Sequence, residues 1–424
     1  MADPVVAVIG AGQAGFQVAS SLRQEGFAGR VVLIGDEPGL PYQRPPLSKS
    51  YLAGESGLDE LWLRPEAFYE KQEIELITGE AVTAIDRPGH GVRLASGRTL
   101  ECDQIVLATG ARSRMLPVPG AELEGVLPLR TLADADVLRD RLAQVRAIVV
   151  VGAGFIGLEF AAVAIAAGAA IHIIEVTHHP MGRVVSAPTS GFFTEAHRSW
   201  GAAISLGTGV SRILGDGRRA TAVETSDGRM LPADLVLICI GVVPNAELAR
   251  DAGLATDNGI VVDELLSTGA PEISAIGDCA NFPTRFGSTG PTGHADTLSG
   301  HSRVRLESVQ NGVDQAREVA ARIAGKRAGP YDKVPWFWSD QRDLKLQIAG
   351  LTAGHDLTAL RGHPDSGSFS VFCFAGDRLI GVESVNRPAD HIIARRMLVG
   401  DPHLSPMQAA DESYDLKAHI GRRR

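Results

Sequence analysis

The chain has 424 residues, enough for two or three domains of ordinary size. Its 41 basic and 50 acidic residues give a net charge of −9 with no long basic run, so a nucleic-acid partner is not expected. The hydrophobic share of 44% is typical of a globular protein, and the arginines at 422–424 are interpreted as a solvated tail.

The first predicted element is a strand, Val5–Ile9, and no signal-peptide pattern precedes it. The most apolar stretch, residues 155–174, is interrupted by Glu159 and Gly168, so a transmembrane helix is not predicted. Together these patterns predict a cytoplasmic protein without a membrane partner.

The strand Val5–Ile9 leads into a glycine turn that spans residues 10–15. Residues 16–24 are predicted to form a helix and residues 30–35 a second buried strand, which ends at Asp36 and Glu37. In such a turn the first glycine allows the tight bend, the second lets the backbone approach a pyrophosphate, and the third lets helix and strand pack closely. The pattern therefore predicts a dinucleotide-binding unit.

The same pattern of strand, glycine turn and helix occurs again 142 residues later. The strand Ala147–Val151 is followed by a glycine turn at residues 152–157, a predicted helix at 158–167 and a strand at 170–174 that ends at Glu175. Two coincidental glycine loops are the alternative, but both copies have the same strand, turn, helix and acidic residue in order. An offset of this length favours two separate nucleotide-binding units over a solenoid repeat.

The carboxylate of Glu175 is predicted to accept hydrogen bonds from ribose hydroxyls and to repel a 2′-phosphate. No arginine stands beside it, so the pattern predicts NADH in preference to NADPH. The alternative is a solvated carboxylate at the end of a strand.

Further strand-then-glycine segments lie at residues 104–110 and 235–241, and residues 272–278 are predicted to return to the first sheet, with Asp278 closing that strand. The second unit, residues 113–245, is therefore predicted to be inserted into the first, residues 1–112 and 246–329. Residues 330–424 are predicted to form a smaller α+β domain from the strands Leu344–Gly350, Ser368–Ala375 and Arg378–Val385 and a helix after Pro388. The predicted fold class is α/β, with two Rossmann-like domains and this C-terminal domain.

The four cysteines, at positions 102, 239, 279 and 373, lie far apart in the sequence. This spacing excludes a local CxxC redox pair and a zinc knuckle, so isolated buried thiols and no metal site are expected. Residues 38–55 contain no cysteine. Thioredoxin and glutathione reductases need a cysteine pair near their flavin, and flavoproteins that reduce peroxide or coenzyme-A disulfide need a single cysteine in this segment. The absence therefore argues against both kinds of chemistry.

Several segments resemble a known family, and they are spread over nearly the whole chain in order. They are residues 41–49, 129–132, 152–159, 276–280, 307–311, 335–340 and 385–388. The sequence of these segments is similar to the NADH-dependent ferredoxin reductases of oxygenase systems, the family of putidaredoxin reductase and the biphenyl dioxygenase reductases.

The resemblance implies a glutathione-reductase-like fold, with FAD in the first unit and NADH in the second. It implies an FAD site formed by Gly10, Gly12, Ala14, Gly15, Asp36, Glu37, Arg44, Lys49, Val82, Ala108, Arg130, Asp278, Val309 and Trp338. It implies an NAD site formed by Gly152, Gly154, Ile156, Gly157, Glu159, Glu175 and Gly241.

By the same resemblance, Lys49 and Glu159 form a pair that tunes the flavin. A lysine near the flavin favours the electron-rich reduced ring, and a carboxylate keeps that lysine protonated and oriented. Without the resemblance, Lys49 and Arg44 would be interpreted as solvated charges in a proline-rich loop, and Glu159 as a carboxylate on a helix face.

The implied partner is a small acidic 2Fe–2S ferredoxin, which feeds a haem-thiolate monooxygenase or a Rieske dioxygenase. Trp336 and Trp338 are either core aromatics or residues of the acceptor face. A local basic patch is expected for the ferredoxin. Its candidates are Arg303, Arg305, Arg342, Lys345, Arg387, Arg395 and Arg396.

Rubredoxin reductase and monodehydroascorbate reductase share the cysteine-free design and remain alternatives. A redox-regulated binding protein, like apoptosis-inducing factor, is a more distant one. The chain is expected to be a monomer or a weak homodimer. Residues 285–302 are predicted to form an inserted flexible loop with a surface or partner-selecting role.

Overall fold

The computed structural model describes residues 3–287, 294–295, 302–326, 329–400 and 403–421. The strands are β1 (Val5–Ile9), β2 (Arg30–Ile34), β3 (Ile74–Ile77), β4 (Val82–Asp86), β5 (Gly91–Leu94), β6 (Thr99–Glu101), β7 (Gln104–Leu107), β8 (Ala111–Ser113), β9 (Val126–Pro128), β10 (Ala147–Val151), β11 (Ala170–Glu175), β12 (Ala203–Leu206), β13 (Val210–Gly215), β14 (Ala220–Thr225), β15 (Met230–Pro232), β16 (Leu235–Ile238), β17 (Val242–Pro244), β18 (Ile260–Val261), β19 (Ile273–Ala275), β20 (Ala280–Thr284), β21 (His294–Ala295), β22 (Ser302–Val304), β23 (Trp336–Gln341), β24 (Leu344–Gly350), β25 (Leu357–His363), β26 (Ser368–Ala375) and β27 (Arg378–Val385). The α-helices are α1 (Gln13–Gln24), α2 (Glu66–Lys71), α3 (Leu132–Leu142), α4 (Phe155–Ala166), α5 (Ala187–Ser199), α6 (Glu247–Asp251), α7 (Val309–Ile323), α8 (Pro388–Met397), α9 (Pro406–Ala410) and α10 (Leu416–Gly421).

The chain divides into two compact units. The first consists of Met1–Gln43, Asp59–Arg112 and Val243–Pro335, and the second of Arg44–Leu58, Ser113–Val242 and Trp336–Arg424. The short segment 44–58, which carries Lys49, thus belongs to the second unit together with the C-terminal sheet.

The first unit is built on a five-stranded sheet with the order β19-β7-β1-β2-β3. Every pairing in it is parallel, from Val5 opposite Arg30 to Ile273 opposite Ile105. Because such a sheet is covered on both faces, its strands are continuous apolar runs, as residues 5–9 predict. Residues 272–278 are predicted to return to this sheet, and of these Ile273–Ala275, which form β19, do so.

Asp278 does not close that strand. Gly277–Cys279 form a 3-10 turn, because the chain bends at Gly277, which has a φ of +71°. The amide of Gly277 donates to Gln315 Oε1 at 2.7 Å, which holds the turn against helix α7.

The second unit contains a matching parallel sheet with the order β12-β11-β10-β16-β9. An antiparallel sheet, β13-β14-β15, packs beside it around the buried side chains of Val149, Val151 and Val223. The predicted strands and helix of the second glycine-turn unit are confirmed, and helix α4 begins three residues earlier than predicted.

The C-terminal part of the second unit is an antiparallel sheet with the order β23-β24-β27-β26-β25. The predicted strands β24, β26 and β27 are confirmed with their bounds, and α8 is the helix expected after Pro388. The sequence predictions missed the two edge strands, β23 and β25.

No helix in the described part of the chain is long and apolar enough to cross a membrane. The apolar stretch 155–174 forms helix α4 and strand β11, separated by a turn at Gly168 with a φ of +90°. The loop predicted at 285–302 falls mostly outside the described residues, since 288–293 and 296–301 are among those left undescribed.

Candidate functional site: two glycine turns and a buried lysine–glutamate pair

The first glycine turn has the steric requirements of a pyrophosphate cradle. Gly10 has a φ of +108°, and a Cβ there would lie 2.2 Å from the Ala108 carbonyl oxygen. A Cβ at Gly15 would lie 1.8 Å from the Gly10 oxygen, whereas one at Gly12 would meet no atom within 4 Å. The first and third glycines are thus required by packing, and the second faces open space at the N-terminus of α1.

Helix α1 also has the free donors that an anion needs. Its N-cap, Gly12, makes no side-chain capping hydrogen bond and its first turn contains no acidic residue. The first amides of a helix have no partner within the helix and carry its positive dipole end. These residues therefore fit the pyrophosphate of a dinucleotide.

The second turn repeats this geometry in the second unit. Gly152 has a φ of +103°, and a Cβ there would lie 2.3 Å from the Cys239 carbonyl oxygen. A Cβ at Gly157 would lie 2.2 Å from the Gly152 oxygen, and the nearest atom to one at Gly154 is 4.0 Å away. Ile156, on the first turn of α4, is 41% exposed. This turn, too, fits a pyrophosphate.

The two units differ at the acidic end of the second strand. Glu175 continues β11 opposite Leu206, and its carboxylate accepts from the amide of Ala153 at 2.8 Å and from the amide and hydroxyl of Thr177 at 2.9 Å each. The equivalent position after β2 is Gly35, where an added Cβ would lie 2.6 Å from the Cβ of Ala11. The acidic side chains of the first unit come one and two residues later.

Of those two acidic residues, Asp36 is exposed and Glu37 is half-buried. Tyr42, only 6% exposed, donates its hydroxyl to Glu37 Oε2 at 2.6 Å. This bond fixes the Glu37 side chain.

The remaining first-unit candidates lie in several different elements of that unit. Ala14 packs against Gly277 and Gly312, since a Cβ at either glycine would lie 3.2 Å from its methyl group. Ala108 follows β7, and its amide donates to Ile9 at 2.8 Å. Asp278 lies in the 3-10 turn, Val309 opens α7, and Val82 opens β4 in the separate sheet β4-β5-β6.

In the second unit, Lys49 and Glu159 form an ion pair in which the carboxylate is buried and the lysine is partly buried. Lys49 Nζ lies 2.6 Å from Glu159 Oε2, and the two side chains are 20% and 2% exposed. Ser48 also donates to Oε2 at 2.6 Å, and Ser339 donates to Oε1 at 2.6 Å. Neither charge is a solvated surface charge, and the described structure gives the carboxylate a donor on each oxygen, as burial requires.

Local structure explains how these groups meet. The two prolines at 45 and 46 start a 3-10 turn, Pro45–Ser48, which presents Ser48 and Lys49 side by side. Helix α4 turns Glu159 inward beside its buried neighbours Leu158 and Phe160. The sequence predictions include Lys49 and Glu159 but miss Ser48 and Ser339, although both serines stand inside the segments that carry the family resemblance.

Two more second-unit candidates are joined by one hydrogen bond. Arg44 donates to the Arg130 carbonyl oxygen at 2.6 Å, and the Arg130 amide donates to Asp134 Oδ2 at 2.9 Å. Trp338 is half-buried, with its ring centroid 5.6 Å from that of Trp336. Gly241, with a φ of +96°, accepts a backbone hydrogen bond from Arg114 at 2.9 Å.

The cysteines are not arranged for disulfide chemistry. All four are free, and three of them are buried. Burial raises the pKa of Cys102 to about 11, and the pKa of the half-buried Cys239 is raised to about 12 by desolvation of its thiol and by the charge of Glu159. A thiol with such a pKa is protonated at neutral pH and is a poor nucleophile.

Comparison with known proteins agrees with this geometry. Residues 4–316 match the pyridine nucleotide-disulphide oxidoreductase family, and residues 336–420 match the reductase C-terminal family. The chain is 50% identical over 417 residues to rhodocoxin reductase of Rhodococcus erythropolis, covering 98% of this chain and 94% of the relative. It is 41% identical over 426 residues to putidaredoxin reductase of Pseudomonas putida, covering 99% and 97% of the two chains.

Solved structures give the same result. A ferredoxin reductase from Rhodopseudomonas palustris matches with a TM-score of 0.93 and 49% identity, covering 99% of this chain and 100% of that chain. Putidaredoxin reductase in its covalent complex with putidaredoxin matches with a TM-score of 0.93 and 40% identity, covering 100% and 99%. The family resemblance found in the sequence is confirmed. The chain therefore belongs to the pyridine nucleotide-disulphide oxidoreductase family, as a flavoprotein oxidoreductase of its ferredoxin reductase group with FAD and NADH as cofactors.

Proposed function

We propose that the chain transfers electrons from NADH to a small acidic 2Fe–2S ferredoxin, which serves either a haem-thiolate monooxygenase or a Rieske dioxygenase. The observation that carries the proposal is the combination of two complete dinucleotide turns with a cysteine-free segment at 38–55, in a chain that aligns with ferredoxin reductases over almost its full length. One of the matching solved structures is a covalent complex of putidaredoxin reductase with putidaredoxin, which supports a redox protein as the partner. The chemistry that bound FAD supplies is acceptance of hydride and release of single electrons.

The chain's own residues bind, orient and supply charge in this proposal. The turn at Gly10, Gly12 and Gly15 holds the FAD pyrophosphate, and the turn at 152–157 holds that of NADH. Glu37 and Glu175 accept hydrogen bonds from ribose hydroxyls. The other proposed FAD ligands are Ala14, Asp36, Arg44, Lys49, Val82, Ala108, Arg130, Asp278, Val309 and Trp338, and the other proposed NAD ligands are Ile156, Glu159 and Gly241.

Lys49 has the role of a fixed positive charge. The carboxylate of Glu159 lies 2.6 Å from the Lys49 ammonium and orients it, and the hydrogen bonds from Ser48 and Ser339 keep that carboxylate in place. A preorganised charge costs no reorganisation when negative charge develops next to it. We assign Lys49 and Glu159 to the tuning of hydride transfer on this basis.

Replacing Glu175 with Gln is expected to weaken the preference for NADH over NADPH by about tenfold, the effect of losing one charge-assisted hydrogen bond and one repulsive charge. Gln keeps one acceptor oxygen, which can serve the amide and hydroxyl of Thr177 that now donate to Oε1, while the Ala153 amide loses its Oε2 acceptor. The measurement is kcat/KM for both nucleotides with ferricyanide as acceptor. Val176→Ala, at an exposed neighbouring position, is the control, and equal selectivity in parent and E175Q would contradict the assignment.

The structure divides the seven basic candidates for the ferredoxin surface. Three have side chains held by hydrogen bonds or ion pairs: Arg303 donates to two carbonyl oxygens at 2.5 and 2.7 Å, Arg305 pairs with Glu307 at 2.8 Å, and Arg387 pairs with Asp390 at 2.8 Å and Glu412 at 2.7 Å. The other four are exposed residues of the C-terminal domain, namely Arg342, Lys345, Arg395 and Arg396. We assign the ferredoxin contact to this second group.

Arg395 links that basic group to the aromatic residues. Its guanidinium lies 4.7 Å from the centre of the Trp336 ring, which in turn lies 5.6 Å from the Trp338 ring. Beside it on α8 the side chain of Ile392 is 51% exposed, so the helix offers both charge and apolar surface. Exposed apolar groups with basic neighbours suit a small acidic protein.

The double variant Arg395→Glu/Arg396→Glu is expected to raise the KM for ferredoxin by about tenfold at low salt, with a smaller effect at high salt, because rim charges act mainly on encounter. Reduction of ferricyanide by NADH should not change. Arg93→Glu, at an exposed position of β5 in the first unit, is the control. A ferredoxin KM that is the same in parent and double variant would place the docking surface elsewhere.

The function itself is tested by NADH-driven cytochrome c reduction, with and without an added 2Fe–2S ferredoxin. Strong dependence on the ferredoxin is expected. Efficient turnover with ferricyanide but none with several ferredoxins would contradict the proposal and point to rubredoxin, a quinone or an organic radical as the acceptor.

A further inference from the structure

A row of buried polar side chains leads away from Glu159 within the second unit. Ser339 and Gln341 lie on β23 with one residue between them, so both point to the same face of the strand. His197 lies on α5. All three side chains are fully buried.

These side chains form a continuous set of hydrogen bonds. His197 Nε2 lies 2.7 Å from Gln341 Oε1, Gln341 Nε2 donates to Ser339 Oγ at 3.2 Å, and Ser339 Oγ donates to Glu159 Oε1 at 2.6 Å. An amide oxygen only accepts, so His197 Nε2 carries the proton in this arrangement. Every bond in the row therefore points toward the Glu159 carboxylate.

The far end of the row is held rigidly. His197 packs its ring against Trp200, with the ring centroids 4.8 Å apart. At the other end of α5, the amide and hydroxyl of Ser186 donate to the buried carboxylate of Glu383 at 2.7 and 2.6 Å. The helix that carries His197 is thus fixed to the C-terminal sheet at both ends.

We propose that Ser339, Gln341 and His197 are positioning residues, which orient the Glu159 carboxylate toward Lys49 and so set the rate of hydride transfer. The inference rests on the proposed role of Lys49 and deepens it. Lys49 and Ser48 both donate to Oε2, so the other oxygen depends on Ser339. Without that bond the carboxylate is free to rotate and its contact with Lys49 is lost for part of the time.

The protonation pattern follows from burial. Burial lowers the pKa of His197 to about 4, so the imidazole is neutral and a single ring nitrogen carries a proton at neutral pH. No hydrogen-bond partner of His197 Nδ1 is found in the described part of the chain. The titratable groups that face Glu159 are Lys49 from the 44–58 segment and Cys239 after β16, while β23 presents only the uncharged Ser339 and Gln341 at this point.

The kinetic test uses Ser339→Ala in the FAD-loaded protein. Stopped-flow flavin bleaching by NADH is expected to slow by about tenfold at saturating NADH, as for loss of one hydrogen bond to a charged group, with the KM for NADH unchanged. Ser339→Thr, which keeps the hydroxyl, should restore the rate. Ser370→Ala is the matched control, because Ser370 is a fully buried serine of the same sheet that donates to Asp390 at 3.0 Å.

A second pair of variants acts at the far end and does not alter a direct neighbour of Glu159. His197→Phe keeps a ring against Trp200 but removes the donor to Gln341, and a slowing of about threefold is expected for a neutral hydrogen bond. His197→Gln supplies an amide donor and should recover the parent rate. Parent rates in both Ser339→Ala and His197→Phe would overturn the inference.

The donor-to-acceptor direction of the hydrogen bonds from His197 to Glu159 can be measured without turnover. Nitrogen NMR of protein labelled with 15N-histidine should show His197 as the neutral Nε2-protonated tautomer. The Nδ1-protonated tautomer would require Gln341 to be turned over, which would reverse the row and overturn the inference. If the flavin of Lys49→Met is also reduced by NADH at the parent rate, the proposed tuning role itself fails. If flavin reduction is slow in Lys49→Met but proceeds at the parent rate in Ser339→Ala, the positioning role alone is overturned.

Discussion

Replacing Lys49 with Met is expected to slow flavin reduction by NADH by about a hundredfold, which is the usual effect of removing one preorganised electrostatic group from a reacting centre. Met keeps the length and apolar stem of the lysine side chain and removes only its charge. The reduction rate is measured by stopped-flow at saturating NADH, and NADH affinity is measured separately. A reduction rate equal to that of the parent would remove Lys49 from the mechanism.

The same substitution leaves a buried carboxylate without its cation. Breaking a buried ion pair from one side typically costs about 3–5 kcal/mol, so Lys49→Met should also lower the free energy of unfolding. The double variant Lys49→Met/Glu159→Gln removes both charges and should regain most of that stability without regaining the rate. Lys333→Met, at an exposed lysine 3.4 Å from the partly buried Glu318, is the control for loss of a more exposed pair and should leave the rate unchanged and lower stability less than Lys49→Met does.

Much of the fold is predictable from the sequence because its strongest signals are local. Each glycine turn follows a strand of five apolar residues and opens a helix, so a strand, a turn and a helix can be assigned from fewer than twenty neighbouring residues. Strands β24, β26 and β27 are equally clear, since turn residues bound them. The edge strand β23, with the sequence Trp-Phe-Trp-Ser-Asp-Gln, lacks a regular alternation of polar and apolar residues and is not predictable from its pattern.

The polar surroundings of Glu159 cannot be derived in this way. Ser48 and Ser339 lie 111 and 180 residues away in sequence from the carboxylate that they contact. No periodicity reports which serine of a strand meets which residue of a distant helix, because that contact depends on how the sheets pack. The family resemblance supplies Lys49 and Glu159, but the hydroxyl groups that fix the pair become visible only in the folded chain.

The acidic residue at the end of the second strand of each unit is a further feature that the sequence predicts only in part. The two units have the same glycine turn, and the amides of Gly79 and Gly207 make equivalent bonds to Glu37 and Thr177 at 3.0 Å. By that correspondence, Glu37 matches Thr177 rather than Glu175. An acidic residue near the end of a strand is thus predictable, but its distance from the ribose site depends on a shift of two residues that the pattern does not specify.

Gly157→Ala is expected to abolish NADH-dependent flavin reduction, because the third glycine of the second turn separates helix α4 from strand β10. A methyl group there would lie 2.2 Å from the Gly152 carbonyl oxygen and 3.3 Å from Val150 and Cys239 side chains. Backbone cannot yield as a flexible side chain does, so α4 must move outward. Overpacking of this kind costs about 1–3 kcal/mol, and the moved helix carries Glu159 with it.

Two measurements separate this effect from general unfolding. The FAD content of purified Gly157→Ala should match that of the parent, since the first glycine turn is unchanged, while dithionite should still reduce the flavin that NADH no longer reduces. Gly191→Ala, in α5 with no atom within 4 Å of its added methyl group, should instead stabilise the protein by about 0.5–1 kcal/mol, because alanine is the better helix former. Normal NADH turnover by Gly157→Ala would show that α4 tolerates the shift, and the close packing of helix and strand at this turn would then have no part in binding the nucleotide.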